Sequence, residues 1–287
     1  MNFSYGYKHI IADYIAQNKL ESLKLYLMDL EPKIEGVNNK IEIKRFLNFL
    51  ETGKPVYSIF AENGNVKLPF VSFSALPGKS FCPGAGACLE FCYSFNSWRY
   101  AGAFFRQCQN TILLNTTEGR VFIRDALLAI VRDNTTGLPL DLRLYVDGDF
   151  RHSDDVVFWF ALLHQVRDGI KAYGYSKSFQ AILSAIDHGA IMPTNYLLNI
   201  SGGHNATEGL VNAIKALPFA RGEFVAVSIG KKVKSADHGT RETNKALRKA
   251  HAKKAFTCPG KCGSCTPNGH ACGSAKFKNV DIIIAVH

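Results

Sequence analysis

Thiols carry the most distinctive chemistry in this chain, and seven of its eight cysteines fall into two groups. The first lies within Phe81-Cys-Pro-Gly-Ala-Gly-Ala-Cys-Leu-Glu-Phe-Cys-Tyr93, which spaces Cys82, Cys88 and Cys92 as C-x5-C-x3-C. A structural zinc takes four ligands, usually from tight C-x2-C pairs. Three sulfurs with no histidine nearby fit a [4Fe–4S] cube better, with three irons held by protein and the fourth open. The alternative is a zinc that borrows a fourth ligand from elsewhere. The small residues Gly84, Ala85, Gly86 and Ala87 allow backbone amides to approach the negative sulfides. A proline directly after a ligand, as in Cys82-Pro83, also occurs in ferredoxin-type loops.

The second group is Cys258, Cys262, Cys265 and Cys272, spaced C-x3-C-x2-C-x6-C. Four thiolates can close either a zinc site or a second cluster. The first three match the spacing of radical-SAM enzymes, but those enzymes place it after an early strand, not near the C-terminus. The group therefore reads as a closed auxiliary or structural centre, iron–sulfur or zinc. His270 lies inside the loop and could replace a thiolate, although an exposed loop histidine is the plainer reading. The remaining cysteine, Cys108, sits in a helix-compatible stretch and reads as a small buried hydrophobe.

Three further constellations stand at predicted strand ends. Leu144-Tyr-Val-Asp147-Gly-Asp149-Phe150 places two carboxylates around a glycine, where parallel α/β folds carry their sites. The plainer reading is a turn pair that caps the next helix. Lys177, in Tyr175-Ser-Lys177-Ser178, could bind an anion or simply be exposed. Ser201-Gly202-Gly203 offers backbone amides to a ligand, although tight turns use Gly-Gly constantly. Asp147, Asp149 and Lys177 are the candidate catalytic residues, and Ser201, Gly202 and Gly203 the candidate cofactor contacts.

The elements that must position these residues alternate. Apolar spacing predicts helices over 7–16, 20–27 and 41–50, an N-terminal helical cap covering residues 1–50. Val56–Phe60 and Val66–Phe73 flank Glu62-Asn-Gly-Asn65, a hairpin signal. The first cysteine loop follows, then helix-compatible 97–115 and an amphipathic helix over 118–132. Leu140–Val146 reads as strand, 154–173 as helix, Phe179–Ile186 and Tyr196–Ile200 as strands. Thr207–Leu217 reads as helix, Phe224–Ile229 as strand, Thr240–Lys254 as a basic helix and Val280–Val286 as a closing strand. This rhythm predicts a mainly parallel sheet with about six core strands, fewer than a full TIM barrel. The expected fold is thus α/β, a partial TIM-like (β/α)6 barrel over residues 51–287 behind the helical cap.

A 47% apolar fraction can fill a core, and 20% charged residues with mean hydropathy near zero mark a soluble globular chain. No apolar run approaches the roughly 18 residues of a membrane span, and the N-terminus lacks signal-peptide character. The expected setting is cytoplasmic, without membrane contact, where clustered cysteine reads as metal binding before disulfide. Net charge is +10. Nine lysines and arginines between Lys231 and Lys254 face only Asp237 and Glu242, a local net of +7. Such a segment can neutralise phosphates of a nucleic acid, or can be a solvated helix face.

The Cys-Pro-Gly-Ala-Gly-Ala-Cys block, then Cys92-Tyr93, Asp147-Gly-Asp-Phe150, Tyr175-Ser-Lys-Ser178 and the C-terminal Cys-Pro…Cys-Gly-Ser-Cys resemble the phage and plasmid family called gene product eighty-eight. The matching pieces span about residues 70–272, and the first block is the most specific. The resemblance implies a mobile-element origin, and carries over Cys82, Cys88, Cys92, Asp147, Asp149, Lys177, Cys258, Cys262 and Cys265. The order of strand, three-cysteine loop, alternating elements and C-terminal cysteine group also resembles radical-SAM proteins with an auxiliary cluster. The expected function is therefore that of an iron–sulfur protein carrying one or two [4Fe–4S] clusters, with SAM as a candidate ligand. Its partner would be an unknown small molecule or a redox protein. The rival readings are a metal-stapled nucleic-acid-binding protein and an electron carrier.

Overall fold

Three helices open the chain: α1 (Tyr5–Ala16), α2 (Leu20–Leu30) and α3 (Val37–Thr52). Each buries one stripe, with Ile11 and Ile15, Leu23 and Leu27, and Ile43 and Phe46 at helical spacing. Gly53 ends α3 in the left-handed conformation (φ +68°) that glycine adopts freely. The computed structural model describes residues 2–62, 70–251, 253–262, 265–266 and 269–286. Strands β1 (Phe60–Ala61) and β2 (Val71–Phe73) pair antiparallel, with Phe60 opposite Phe73. The Asn-Gly turn proposed between them lies outside the described residues.

Helices α4 (Ala101–Leu114) and α5 (Thr117–Arg132) precede β3 (Leu140–Leu144). Thr116 caps α5 by accepting the Gly119 amide at 3.0 Å. The chain then alternates through α6 (Ser153–Gln165), β4 (Ile170–Ser176), α7 (Phe179–Asp187), β5 (Tyr196–Ser201), α8 (Glu208–Lys215) and β6 (Ala220–Val227). Helix α9 (Arg241–His251), β7 (Ala255–Thr257) and β8 (Asp281–Ala285) complete it.

Three assignments differ from the sequence reading, one of them the short strand β7, which it did not contain. Residues 179–186 form helix α7 and not a strand, because Phe179, Ile182 and Ala185 recur at a spacing of three and bury one face. The predicted helix over 154–173 stops at Gln165, and β4 begins at Ile170. There Ile170, Ala172, Gly174 and Ser176 alternate with Lys171, Tyr173 and Tyr175, the period of a strand.

The strands form one sheet in the order β1-β2-β3-β4-β5-β6-β8-β7, parallel throughout except for β1. The fold is therefore α/β with a mostly parallel sheet. Strands β2, β3, β4, β5, β6 and β8 lie in chain order, and the intervening helices pack on one face of the sheet. Helix α6 packs on α7, and α7 on α8. On that face Leu142, Leu144, Ile170, Ala172, Leu198 and Ile200 join one apolar cluster that reaches back to Phe3, Ile11 and Phe46 of the N-terminal segment. Cys108 is fully buried in this cluster, as a small hydrophobe would be.

The opposite face is different in kind. It presents Arg143, Tyr173, Tyr175, Asn199, Arg221 and Phe224. The segment bearing the second cysteine group lies over it, with Ala271 and Cys272 packed on Tyr173, Ile282 and Phe70.

Candidate metal centres

Beyond β3 the backbone turns sharply. Tyr145 takes φ +55° and Gly148 φ +84°, where a Cβ on Gly148 would approach the Ala75 backbone to 3.1 Å. A buried tyrosine in the left-handed region is held there by its surroundings. Its hydroxyl accepts the Trp159 indole N–H at 3.2 Å. The turn delivers Asp147 and Asp149 to separate environments. The Gln107 amide donates to Asp147 at 2.9 Å, and the hydroxyls of Ser94 and Ser74 also bond it. Asp149 accepts the Ser176 hydroxyl at 2.6 Å, the Lys177 amide at 2.7 Å and the Phe150 amide at 2.8 Å. Burial raises the pKa of both carboxyls, opposed by these bonds. Asp149 thus ties the loop after β3 to the end of β4. The Lys177 ammonium donates to Ser201 Oγ at 2.6 Å and links β4 to β5.

The first cysteine loop lies across these strand ends. The amides of Gly86 and Cys88 donate to the Gly203 carbonyl at 3.0 and 3.2 Å, and Asn205 N–H donates to the Gly84 carbonyl at 3.0 Å. A Cβ on Gly84 would fall 1.7 Å from the Lys177 carbonyl oxygen, and one on Gly86 would fall 2.9 Å from the His204 backbone. These glycines let the loop seat against β4 and β5. The amides expected to approach sulfides are partly committed elsewhere: Ala85 N–H donates to the Cys82 carbonyl, and Gly202 N–H to the Phe224 carbonyl. Gly203, at φ +73°, touches Cys88, so a Cβ there would meet Cys88 at 3.0 Å.

Cys82, Cys88, Cys92, Asp149, Lys177 and Ser201 therefore gather at one place. Burial pushes the Cys82 thiol well up, with Asp149 and Cys92 adding to the effect. The Cys88 thiol is raised by burial and lowered by Lys177. Among the described residues, no three His, Cys, Asp or Glu side chains already converge into a set that would hold a metal ion.

The second group rests on the open face of the sheet. The Cys258 amide donates to the Ile283 carbonyl at 2.8 Å, and Asn199 donates to the Cys272 carbonyl at 3.0 Å. Donors also point at sulfur: Ala271 N–H at Cys265 Sγ (3.3 Å), the Tyr175 hydroxyl at Cys272, and Arg143 Nη1 at Cys262 Sγ (4.0 Å). Burial raises the thiols of Cys258 to about 12 and Cys272 to about 11. His270 has both ring nitrogens engaged. Nδ1 accepts the Gly273 amide at 3.1 Å, and Nε2 lies 3.8 Å from Asp141, with the ring tilted on Tyr173. It acts as a brace for the loop.

Sequence reasoning missed Arg143 and Tyr93. Arg143 is 9% exposed, and its Nη2 donates to Tyr93 Oη at 3.2 Å. Its Nε has no hydrogen-bond partner, and its guanidinium lies 4.9 Å over the Tyr175 ring. Tyr93 directly follows Cys92 and donates to the Val146 carbonyl at 2.7 Å. Tyr93 is 44% exposed as a residue, but its hydroxyl is desolvated between Arg143 and the Val146 carbonyl, and this, with Asp147, Cys92 and Cys262 nearby, pushes it up to about 12. The two residues stand between the cysteine groups. The signal for Arg143 was its place beside Asp141 on alternate positions of an apolar strand.

The family described as Gene product 88 matches residues 38–280, most of the chain. The chain belongs to this family. The match takes in both cysteine groups, Asp147, Asp149, Lys177 and every strand of the sheet except β8. No curated protein and no solved structure matches the chain. No described helix of this family member is long and apolar enough to cross a membrane.

Proposed function

We propose that this chain is an iron–sulfur protein. Cys82, Cys88 and Cys92 would hold a [4Fe–4S] cluster with one iron free of protein sulfur. Cys258, Cys262, Cys265 and Cys272 would hold a second, closed centre, a [4Fe–4S] cluster or zinc. The observation that carries the reading is Arg143. A buried guanidinium is costly unless an anion pairs with it. Arg221, the other buried arginine of this face, satisfies its nitrogens with Asn199 and the carbonyls of Phe277, Val280 and Glu223. Arg143 has no carboxylate within ion-pairing distance among the described residues, and it points at Cys262. Metal-bound thiolates supply the missing negative charge. Neutral thiols, which burial favours at Cys258, Cys265 and Cys272, do not.

The six parallel strands in chain order support a partial (β/α)6 barrel with the first loop at the carboxyl ends of its strands, as in radical-SAM-like proteins. A cluster with an open iron supplies one-electron chemistry and a coordination position for an exogenous ligand such as SAM. Lys177 and Ser201 stand beside Cys88, where an ammonium and a hydroxyl can hold a carboxylate-bearing small molecule. Asp149 fixes the Lys177 backbone, and Gly203 fixes Cys88. A second reading, electron transfer, is favoured by the sequence of contacts from Cys92 through Tyr93 and Arg143 to Cys262.

Anaerobic purification with iron, sulfide and zinc assays tests the proposal. Two cubes require about eight irons and eight sulfides per chain, and one cube with zinc about four and four. Zinc alone with negligible sulfide overturns the iron–sulfur reading. A perturbed EPR signal of the reduced first cluster on adding SAM separates the radical-SAM-like reading from plain electron transfer.

A further inference from the structure

We infer that the basic surface carried by helix α9 and by Lys231, Lys232, Lys234, Lys253 and Lys254 is a docking site for the phosphodiester backbone of a nucleic acid. The inference stands apart from the metal reading. Helix α9 is anchored by Thr243 and Leu247, the latter packed with Val233, Ile283 and Ala285 against the end of the sheet. That anchoring turns Arg241, Lys245, Arg248 and Lys249 outward. They are spaced four, three and one apart, so they form one stripe along the exposed side of the helix. Lys231, Lys232, Lys234, Lys253 and Lys254 are also exposed around its two ends.

The charge on this stripe is left uncompensated. Of the two acids in the segment, Glu242 pairs with Lys231 at 3.8 Å. Arg241, Lys245, Arg248 and Lys249 have no ion pair among the described residues. Lys245 stands four residues from both Arg241 and Lys249, so like charges repel along the helix. A polyanion offsets that repulsion. Opposite the basic stripe there is no apolar face to insert into lipid, because Leu247 is already buried and no large apolar side chain is exposed on α9. A membrane-binding amphipathic helix needs such a face. The surface is also well placed. Gly239, just before α9, packs on Pro259, and His238 packs on Gly260, so the helix begins beside the second cysteine loop.

The test is fluorescence anisotropy of the full-length, metal-analysed protein with labelled 20-mers: single-stranded DNA, duplex DNA and RNA. Four phosphate contacts predict a log–log salt slope of about −3.6 on duplex DNA, or about a 100-fold loss of affinity between 50 and 200 mM salt. The variant Lys245→Glu/Arg248→Glu/Lys249→Glu should lose binding by at least 100-fold while keeping its circular dichroism spectrum and metal content. If that variant misfolds, Lys245→Ala/Lys249→Ala should still flatten the salt slope by about two. Which of the three nucleic acids binds tightest identifies the natural source. Absence of binding at 50 mM salt, wild-type binding by the variants, or binding only to phosphatidylserine vesicles overturns the inference. Because metal content is measured on the same sample, an iron-free protein that binds DNA leaves this inference standing while the iron–sulfur reading falls.

Discussion

Arg143 separates two states of the protein. In a metal-free chain its charge is buried among neutral thiols, and Arg143→Met should leave the melting temperature unchanged or raise it. If the second centre is loaded as proposed, the same substitution removes its counter-charge. Breaking a buried pair costs about 3 kcal/mol, which lowers the melting temperature by about 6 °C in a chain of this size. Calorimetry of loaded and metal-free samples checks the opposite signs. Gly84 makes a second residue-scale test. Its Cβ would occupy the position of the Lys177 carbonyl, so Gly84→Ala must lift the first loop off β4. Iron should fall by about four per chain, with the second centre retained. The cysteines themselves were legible from spacing alone. Arg143 was not, because its meaning depends on which sheet face it occupies and on a loop more than a hundred residues away.

At the scale of elements, Asp149 joins the loop after β3 to the start of the turn after β4. Asp149→Asn keeps the shape but sets an amide N–H2 against one backbone donor, Lys177 N–H at the Oδ2 position or Phe150 N–H at the Oδ1 position. Leaving a buried donor unmet costs about 1–3 kcal/mol, and chemical denaturation should register it. The same interplay of local pattern and burial explains what the sequence reading found and lost. Helix α5 was clear because Ile123 and Leu127 stand among charged residues. Helix α7 was mistaken for a strand because a short, largely apolar segment fits both periods, and only its burial pattern decides. Strand β4 was absorbed into the preceding helix because Tyr173 and Tyr175 face a polar, aromatic surface, so neither side of the strand reads as solvent. Strand β7, three half-buried residues, carries too short a pattern to detect.

Across the whole molecule, the two faces of the sheet differ in how they are covered. The helix side is closed by continuous apolar packing. The open side is covered by the segment from Cys258 to Cys272, in which the described residues form no helix or named strand. Chelation of the metals should therefore loosen this cover selectively. Hydrogen exchange after chelation should rise around β7, β8 and residues 258–273, while α6, α7, β3 and β4 keep their protection. Uniform exchange across the sheet would contradict a stapling role for the second centre. The alternation that predicted a mainly parallel α/β sheet was legible as a whole, although β4, α7 and β7 were misread or missed within it. The placement of the second cysteine group on the open face was not, since nothing local to residues 258–272 indicates the surface they cover.

The position of β8 between β6 and β7 has a temporal consequence. From β2 to β6, each parallel strand can pair with one already synthesised, so the sheet can grow as the chain emerges. Strand β7 cannot, because its partner β8 is made about twenty-five residues later. Cys258, tied by its amide to Ile283, waits for the same event. The first cysteine loop can therefore find its strand ends while synthesis continues. The second acquires its platform only once residues 281–285 have left the ribosome, so if the proposed centres are filled during synthesis, the topology of the sheet orders the first before the second.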